Sequence, residues 1–396
     1  MRLGTPGFIG GRLREVREAR GMTQTTLAEI LGVKRQAVSQ YESGSTTPAP
    51  QLVARASDVL NVPPEFFRRP PHRDEKHGLF FRSMASATKT SRTIARQKRR
   101  WLRDIAVFVD SHVEVPKADF PSFRIDPRTA SMSDFEEAAE ETRKWFKLSD
   151  GPAPNLVALL ERHGAIVAHF PLDNPAQSAF SHWDEEFDRP FVVLGSDNTS
   201  AVRSRFNAAH ELAHMVVHRE MDTDAIVDPV LNKLVEQQAH RFASAFLMPR
   251  ESFVRDIYSL TLEGFLELKP TWAVAVVAML YRCSDLSILP PRDLERLWVA
   301  AGRRGWRKRE PLDDRIPHEQ PRFLKAAIEL ILSSGACSKR ELTHSVALNP
   351  SDIEGMLGLL QGQLAEIVQP TKPQLRDPGK SAPTPGAKIV PFRRRG

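Results

Sequence analysis

Cysteine is nearly absent: Cys283 and Cys337 are the only two in 396 residues, each alone in its neighbourhood. This excludes a disulfide framework and a cysteine-built zinc site, and it fits a reducing cytoplasm. Long apolar runs are missing as well. The most apolar, Trp272 to Leu280, spans nine residues between Pro270 and Arg282. A membrane-spanning helix needs roughly 20, so this run is expected to form a buried helix. The opening residues, Met1 to Pro6, lack the apolar core of a signal peptide. No repeat of fixed period is visible. These absences lead us to expect a soluble, cytoplasmic protein without a membrane partner.

What is present is ordinary globular material, 41% hydrophobic and 27% charged. The length exceeds one ordinary domain. The balance of 56 basic against 49 acidic residues, +7, is too modest to argue for nucleic acid by itself. Its distribution carries more information. Residues 1–70 hold ten Lys/Arg against six Asp/Glu, a net of +4.

Punctuation divides the chain. Residues 8–67 read as short helices that end in Pro63-Pro64 and Pro70-Pro71. Residues 68–110 read as a linker and a basic helix whose cations, Lys89 to Arg103, are expected to form a solvated face. A helix is expected from Ser133 to about Lys147, with Ser133 as N-cap and Glu136 completing a capping box. Another is expected from Asn155 to His163, stopped by Gly164. Ala165 to Phe170 and Phe191 to Leu194 read as strands, with a third strand or a hairpin between Ser178 and Arg189. From residue 256 to 369 the chain reads as helical. The basic, proline-rich tail, 370–396, is expected to be disordered.

The stretch Met22 to Glu42 divides into two helices around Gly32, a residue that permits a left-handed turn. Leu27, Ala28 and Leu31 give one apolar face, and Val33, Val38 and Tyr41 anchor the second helix. Lys34, Arg35, Gln36, Ser39 and Gln40 remain to face a major groove. This segment resembles the helix-turn-helix of the Xre/Cro family of regulators. The resemblance implies that Gln24 caps the first of the two helices and contacts backbone phosphate, while Arg35, Gln36 and Gln40 face the bases. It also implies a double-stranded DNA operator as partner, read by a homodimer on two half-sites.

The second motif is His210-Glu211-Leu212-Ala213-His214. Histidines four apart share one helical face, separated by about 6 Å along the axis, so both imidazoles can hold one Zn2+. Glu211 is then placed to act as general base and later as proton donor to a leaving amine. A further helix at Val235 to Ala243 can supply Glu236 as third ligand. His240, one turn on, could orient a ligand histidine. His218 lies about 12 Å along the axis from His210, too far to share the ion, and reads as a helix-end or substrate-facing residue. For an oxyanion stabiliser, His182, His218 and Tyr258 stand unranked.

The HExxH, the Glu236-x-x-Ala239-x-x-Phe242-Ala243 and the Leu247-Met248-Pro249 occur in order. From about Phe81-Arg82-Ser83 to Pro249, and weakly through Trp272, the chain resembles the ImmA/IrrE family of metallopeptidases. His240 departs from the Asn often found there. The resemblance implies a gluzincin-like minimal peptidase domain over 111–255, with zinc on His210, His214 and Glu236. It also implies cleavage of a repressor protein in stress response or mobile-element control. The expected fold is therefore α+β, mainly helical. It comprises an all-α helix-turn-helix domain, a central peptidase domain with a small sheet, and C-terminal helices. The alternative from another class is a transcription factor whose peptidase fold senses or binds without significant turnover.

Overall fold

A computed structural model describes residues 4–70, 72, 80–81, 88–172, 179–196, 200–221 and 228–365. The expected tail at 370–396 lies outside them, as do Arg82, Ser83 and Ser178. The N-terminal unit has four helices: α1 (Gly10–Ala19), α2 (Gln24–Leu31), α3 (Arg35–Ser43) and α4 (Pro50–Leu60). Thr23 starts α2 by accepting a hydrogen bond from the Thr26 amide, and Gly32 ends it at φ 66°. Any side chain on Gly10 would overlap the Tyr41 carbonyl, so α1 and α3 meet backbone to backbone. Leu13, Val16, Leu27, Leu31, Val38 and Leu60 fill the space between the helices.

After β1 (Phe80–Phe81), the basic segment forms one long helix, α5 (Lys89–Asp110). Its Trp101, Leu102, Ile105 and Val109 are buried, and the Trp101 indole donates to Glu15 at 3.0 Å, joining α5 to α1. The cations at its centre do not form the solvated face expected. Arg99 is 1% exposed beside Asp184, 3.6 Å away, and Arg103 reaches Asp184 at 2.6 Å and Glu186 at 3.0 Å. Burial pushes the Arg99 guanidinium down to about 10 while Asp184 opposes that shift. The carboxylates come from the end of a strand about eighty residues away and the turn after it, which helix periodicity cannot reveal.

The remaining elements are α6 (Met132–Trp145), α7 (Leu156–Arg162), β2 (Ile166–Phe170), β3 (Ala179–Asp184), β4 (Arg189–Gly195), α8 (Ala201–Val216), α9 (Pro229–Leu247) and α10 (Arg250–Asp256). They are followed by α11 (Leu262–Trp272), α12 (Val276–Asp285), α13 (Pro291–Arg303), α14 (Phe323–Ser333), α15 (Lys339–Val346) and α16 (Pro350–Leu357). The sheet order is β1-β3-β4-β2, with β2 parallel to β4 and the other pairs antiparallel. Both sheet faces are covered, and the strands alternate between two cores. Ala168, Phe180, Phe191 and Val193 join the core shared with α5 and the helix-turn-helix unit. Val167, Ala179, Val192 and Leu194 join the core shared with α8 and α9.

Two helix expectations need correction. Helix α6 begins one residue earlier, capped at Ser131, whose amide donates to Asp134 at 2.8 Å. Glu136 instead meets Arg241 and Arg282, both at 2.7 Å, so tertiary ion pairs outcompete the local box. The apolar run from Trp272 is not one helix either. Ala273 turns left-handed at φ 50°, and α11 and α12 meet at 103°. Glu310 makes the break stable by accepting from the Val276 amide at 2.8 Å and the Val277 amide at 3.0 Å, while Lys269 neutralises it at 2.9 Å. Among the described residues no single helix is long and apolar enough to cross a membrane.

The C-terminal helices divide between the cores. Residues of α11–α13 pack on the α8–α9 side, and those of α14–α16 on the α5 side. Arg20 clasps Asp352 through two bonds of 2.7 and 2.6 Å, fastening the helix-turn-helix unit to α16.

Candidate metal centre and DNA-reading helix

Helix α8 sets His210 and His214 side by side, with their Nε2 atoms 3.1 Å apart. From α9, Glu236 Oε2 lies 3.2 Å from His210 Nε2, and Oε1 lies 3.7 Å from His214 Nε2. Ligands held at roughly 2.0–2.2 Å by a tetrahedral ion lie about 3.3–3.6 Å from one another. Two imidazoles and a carboxylate at this spacing fit a zinc ion. The histidines are fully buried, whereas the Glu236 side chain is 21% exposed, so solvent approaches from the α9 side.

Glu211 is completely buried, and its Oε2 accepts from the Ser181 hydroxyl of β3 at 2.7 Å. Ser181 carries no motif, since it stands thirty residues from Glu211 and only the strand register brings it there. The residue after it, His182, pairs with Phe191 and by strand alternation leaves from the opposite sheet face. Tyr258 is 65% exposed, and its hydroxyl bonds Glu267. Neither His182 nor Tyr258 is brought to the histidines.

His218 is 0% exposed, as are His210 and Glu211. Its Nδ1 lies 3.1 Å from His214 Nδ1, so it contacts the nitrogen of His214 that points away from Glu236. Burial pushes its pKa down to about 4, opposed by a hydrogen bond with Gln238. Gln238 donates in turn to the Pro127 carbonyl at 2.7 Å, and Phe135 of α6 lies against the His218 ring. The sequence reading missed Gln238, because an amide two places after Glu236 gives no signal of its own. His240 is exposed and packs edge-on against His210, ring centres 4.7 Å apart, with Phe206 on its other side.

On α3 and its N-cap, Lys34, Arg35, Gln36, Ser39 and Gln40 are all exposed, while Val38 and Glu42 are buried. Glu42 is the polar anchor beneath this surface. It receives Arg17 at 3.1 Å and Gln24 at 2.8 Å. Gln24 is therefore not the cap implied by resemblance. Thr23 caps, because its shorter side chain reaches the Thr26 amide, and Gln24 turns inward to Glu42.

Residues 13–67 match the helix-turn-helix family profile, and residues 160–284 match that of the IrrE N-terminal-like domain. The HTH-type transcriptional regulator YazB of Bacillus subtilis is 34% identical over 53 residues, 13% of this chain and 77% of that protein. The chain belongs to the helix-turn-helix regulators and carries an IrrE N-terminal-like domain. The prophage-derived regulator YonR of Bacillus subtilis is 32% identical over 65 residues, 16% of this chain and 60% of its own length. The regulator y4wC of Sinorhizobium fredii is 39% identical over 59 residues, 15% of this chain and 41% of its own length. The chain thus spans about half the length of these last two relatives. The IrrE-like match starts at residue 160, later than Phe81, and extends through most of α12. It encloses the whole histidine–glutamate cluster in a metallopeptidase-like fold.

Proposed function

We propose that this regulator is a zinc metalloendopeptidase held at its DNA operator by the helix-turn-helix unit, and that it hydrolyses a repressor protein in stress response or mobile-element control. The observation that carries this reading is the convergence of His210, His214 and Glu236 to within 3.1–3.7 Å beside a buried Glu211. Zinc bound there supplies a Lewis acid and lowers the pKa of water into the neutral range. Glu211 takes the proton of the attacking water and returns it to the leaving amine. Ser181, by donating to Oε2, fixes the carboxylate plane for that transfer. His218 and Gln238 orient the His214 ring through its second nitrogen. Arg35, Gln36 and Gln40 read bases, Lys34 and Ser39 contact the backbone, and Gln24 supports the reading helix through Glu42. Two copies bind two half-sites.

The test is Glu211→Gln, with zinc content measured by mass spectrometry and cleavage of candidate repressor proteins mapped alongside. The expected outcome is one zinc per chain in both proteins and a loss of cleavage by about 10²–10⁴-fold in the variant. An undiminished biological effect in a zinc-loaded Glu211→Gln protein overturns the peptidase reading. That outcome favours the second reading, a sensor or interaction domain without turnover, to which the complete burial of His210 and Glu211 lends support.

A further inference from the structure

Helix α13 carries a feature that neither the DNA-reading helix nor the metal centre uses. Between residues 291 and 309 there are seven basic side chains against Asp293 and Glu295, a net of +5 in a chain whose total is +7. All seven basic residues are exposed. Arg292, Arg296 and Arg303 fall at i, i+4 and i+11, one stripe of a helix about 16.5 Å long. Together with Arg304, Val299, Ala300 and one carboxylate, Glu295, they line a groove of about 550 Å³ in which four guanidiniums outweigh that single acid. The opposite face is apolar and holds α13 to the molecule through Leu294 and Ala301.

The backbone beneath the remaining cations, residues 307–309, is fixed rather than trailing. Arg203, in the first turn of α8, donates to the Arg307 carbonyl at 2.7 Å. On the other side Glu310 is buried under Lys269. On the side of α13 that faces α12, Tyr281 is 60% exposed and stands edge-on to half-buried Trp298, ring centres 4.4 Å apart. Local carboxylates neutralise little of the charge: Asp293 meets Arg296 at 3.4 Å, and Glu263 meets Arg304, both at exposed positions.

We propose that this groove is a second nucleic-acid surface, one that takes the phosphodiester backbone of DNA. A stripe of about 16.5 Å spans roughly five phosphates at 3.4 Å per step along one strand. Arginine suits phosphate because its planar fork donates two bonds at once. The helix-turn-helix unit brings DNA to this molecule in any case, and the groove lies on the other core, so it contacts DNA outside the segment read by α3. This inference is independent of whether the zinc site cuts peptides.

The experiment uses the full chain and a labelled duplex of random sequence, with affinity measured by fluorescence anisotropy from 50 to 200 mM salt. Arg292→Gln/Arg296→Gln/Arg303→Gln is compared with wild type. A control triple, Arg124→Gln/Lys144→Gln/Arg255→Gln, removes the same charge from dispersed positions that are 85%, 70% and 72% exposed. The groove triple is expected to lower the salt slope by about 2.7, so that it loses about 40-fold less affinity than wild type across that range. The control is expected to change the slope by less than about 0.5. Should the triple lose its fold, Arg292→Gln/Arg296→Gln is read instead, with a slope change of about 1.8. The proposal is overturned by an unchanged slope, by an equal drop in the control, or by a wild type that does not bind. It is also overturned if polyglutamate of equal charge displaces the chain as well as unlabelled duplex does, which would mark an acidic protein as the occupant.

Discussion

The helix-turn-helix unit and the candidate metal centre are built on opposite plans. In the first, the polar groups that shape α2 and α3 lie within some thirty residues of one another: Arg17, the Thr23 cap, the Gly32 turn and the buried Glu42. In the second, Glu211 depends on Ser181, His214 on His218 and Gln238, and the ligand set on Glu236 of another helix. Local construction makes a surface that tolerates exposure. Long-range construction brings several polar groups together inside a core, where each must find its partner.

The largest expected effect separates the two plans outright. His214→Ala should weaken zinc binding by more than the 10–100-fold that outer partners carry, as measured by competition with a chelator. It should leave operator affinity within about twofold, since His214 and α3 share no core. Operator binding that falls with zinc would show the two units to be coupled. Next comes the reciprocal lesion. Glu42→Ala strands the Arg17 guanidinium and should cost about 3–5 kcal/mol in denaturant unfolding of the helix-turn-helix unit. Zinc content should stay at the wild-type value.

A smaller effect refines the metal side. His218→Asn removes the contact to His214, and Gln238→Ala removes the hydrogen bond that holds His218, so each should lower zinc affinity by about 10–100-fold. Equal affinity in both variants would mean that the His214 ring is held by packing alone. The smallest effect uses the two cysteines, one in each core: Cys283 on the metal side and Cys337 on the helix-turn-helix side. Burial pushes the Cys283 thiol up to about 12, so thiol reagents should leave it unlabelled at pH 8 in the folded protein. Zinc removal should speed labelling of Cys283 and spare Cys337, and equal acceleration of both would argue for a single cooperative unit.

How far each region could be read beforehand follows the same division. The turn at Gly32, the apolar faces and the exposed polar row on α3 are properties of consecutive residues. Even so, Thr23 and not Gln24 is the cap, because Thr23 has the side-chain length that fits. At the metal centre, four-residue spacing sets His210 and His214 on one face. Glu236 required a second helix at the right distance. Ser181 and Gln238 were not legible, since a lone serine on a strand or an amide on a helix becomes a partner only when its neighbour is known. The α5 cations and the α11–α12 break failed for one reason. Asp184 and Glu310, which explain them, arrive from distant parts of the chain.

The sequence by itself determined the kinds of element, the exposed polar row on α3 and the pairing of two imidazoles on one helical turn, because helical periodicity and capping act over a few residues. Only the tertiary structure decided which carboxylate Ser181 would hold, that His218 would be sealed against His214, and that Arg99 would face the sheet instead of water. Those outcomes depend on strand register and on two cores packed against opposite faces of one sheet. Burial there turns each polar side chain into a demand for a partner, and folding the whole chain is what supplies it.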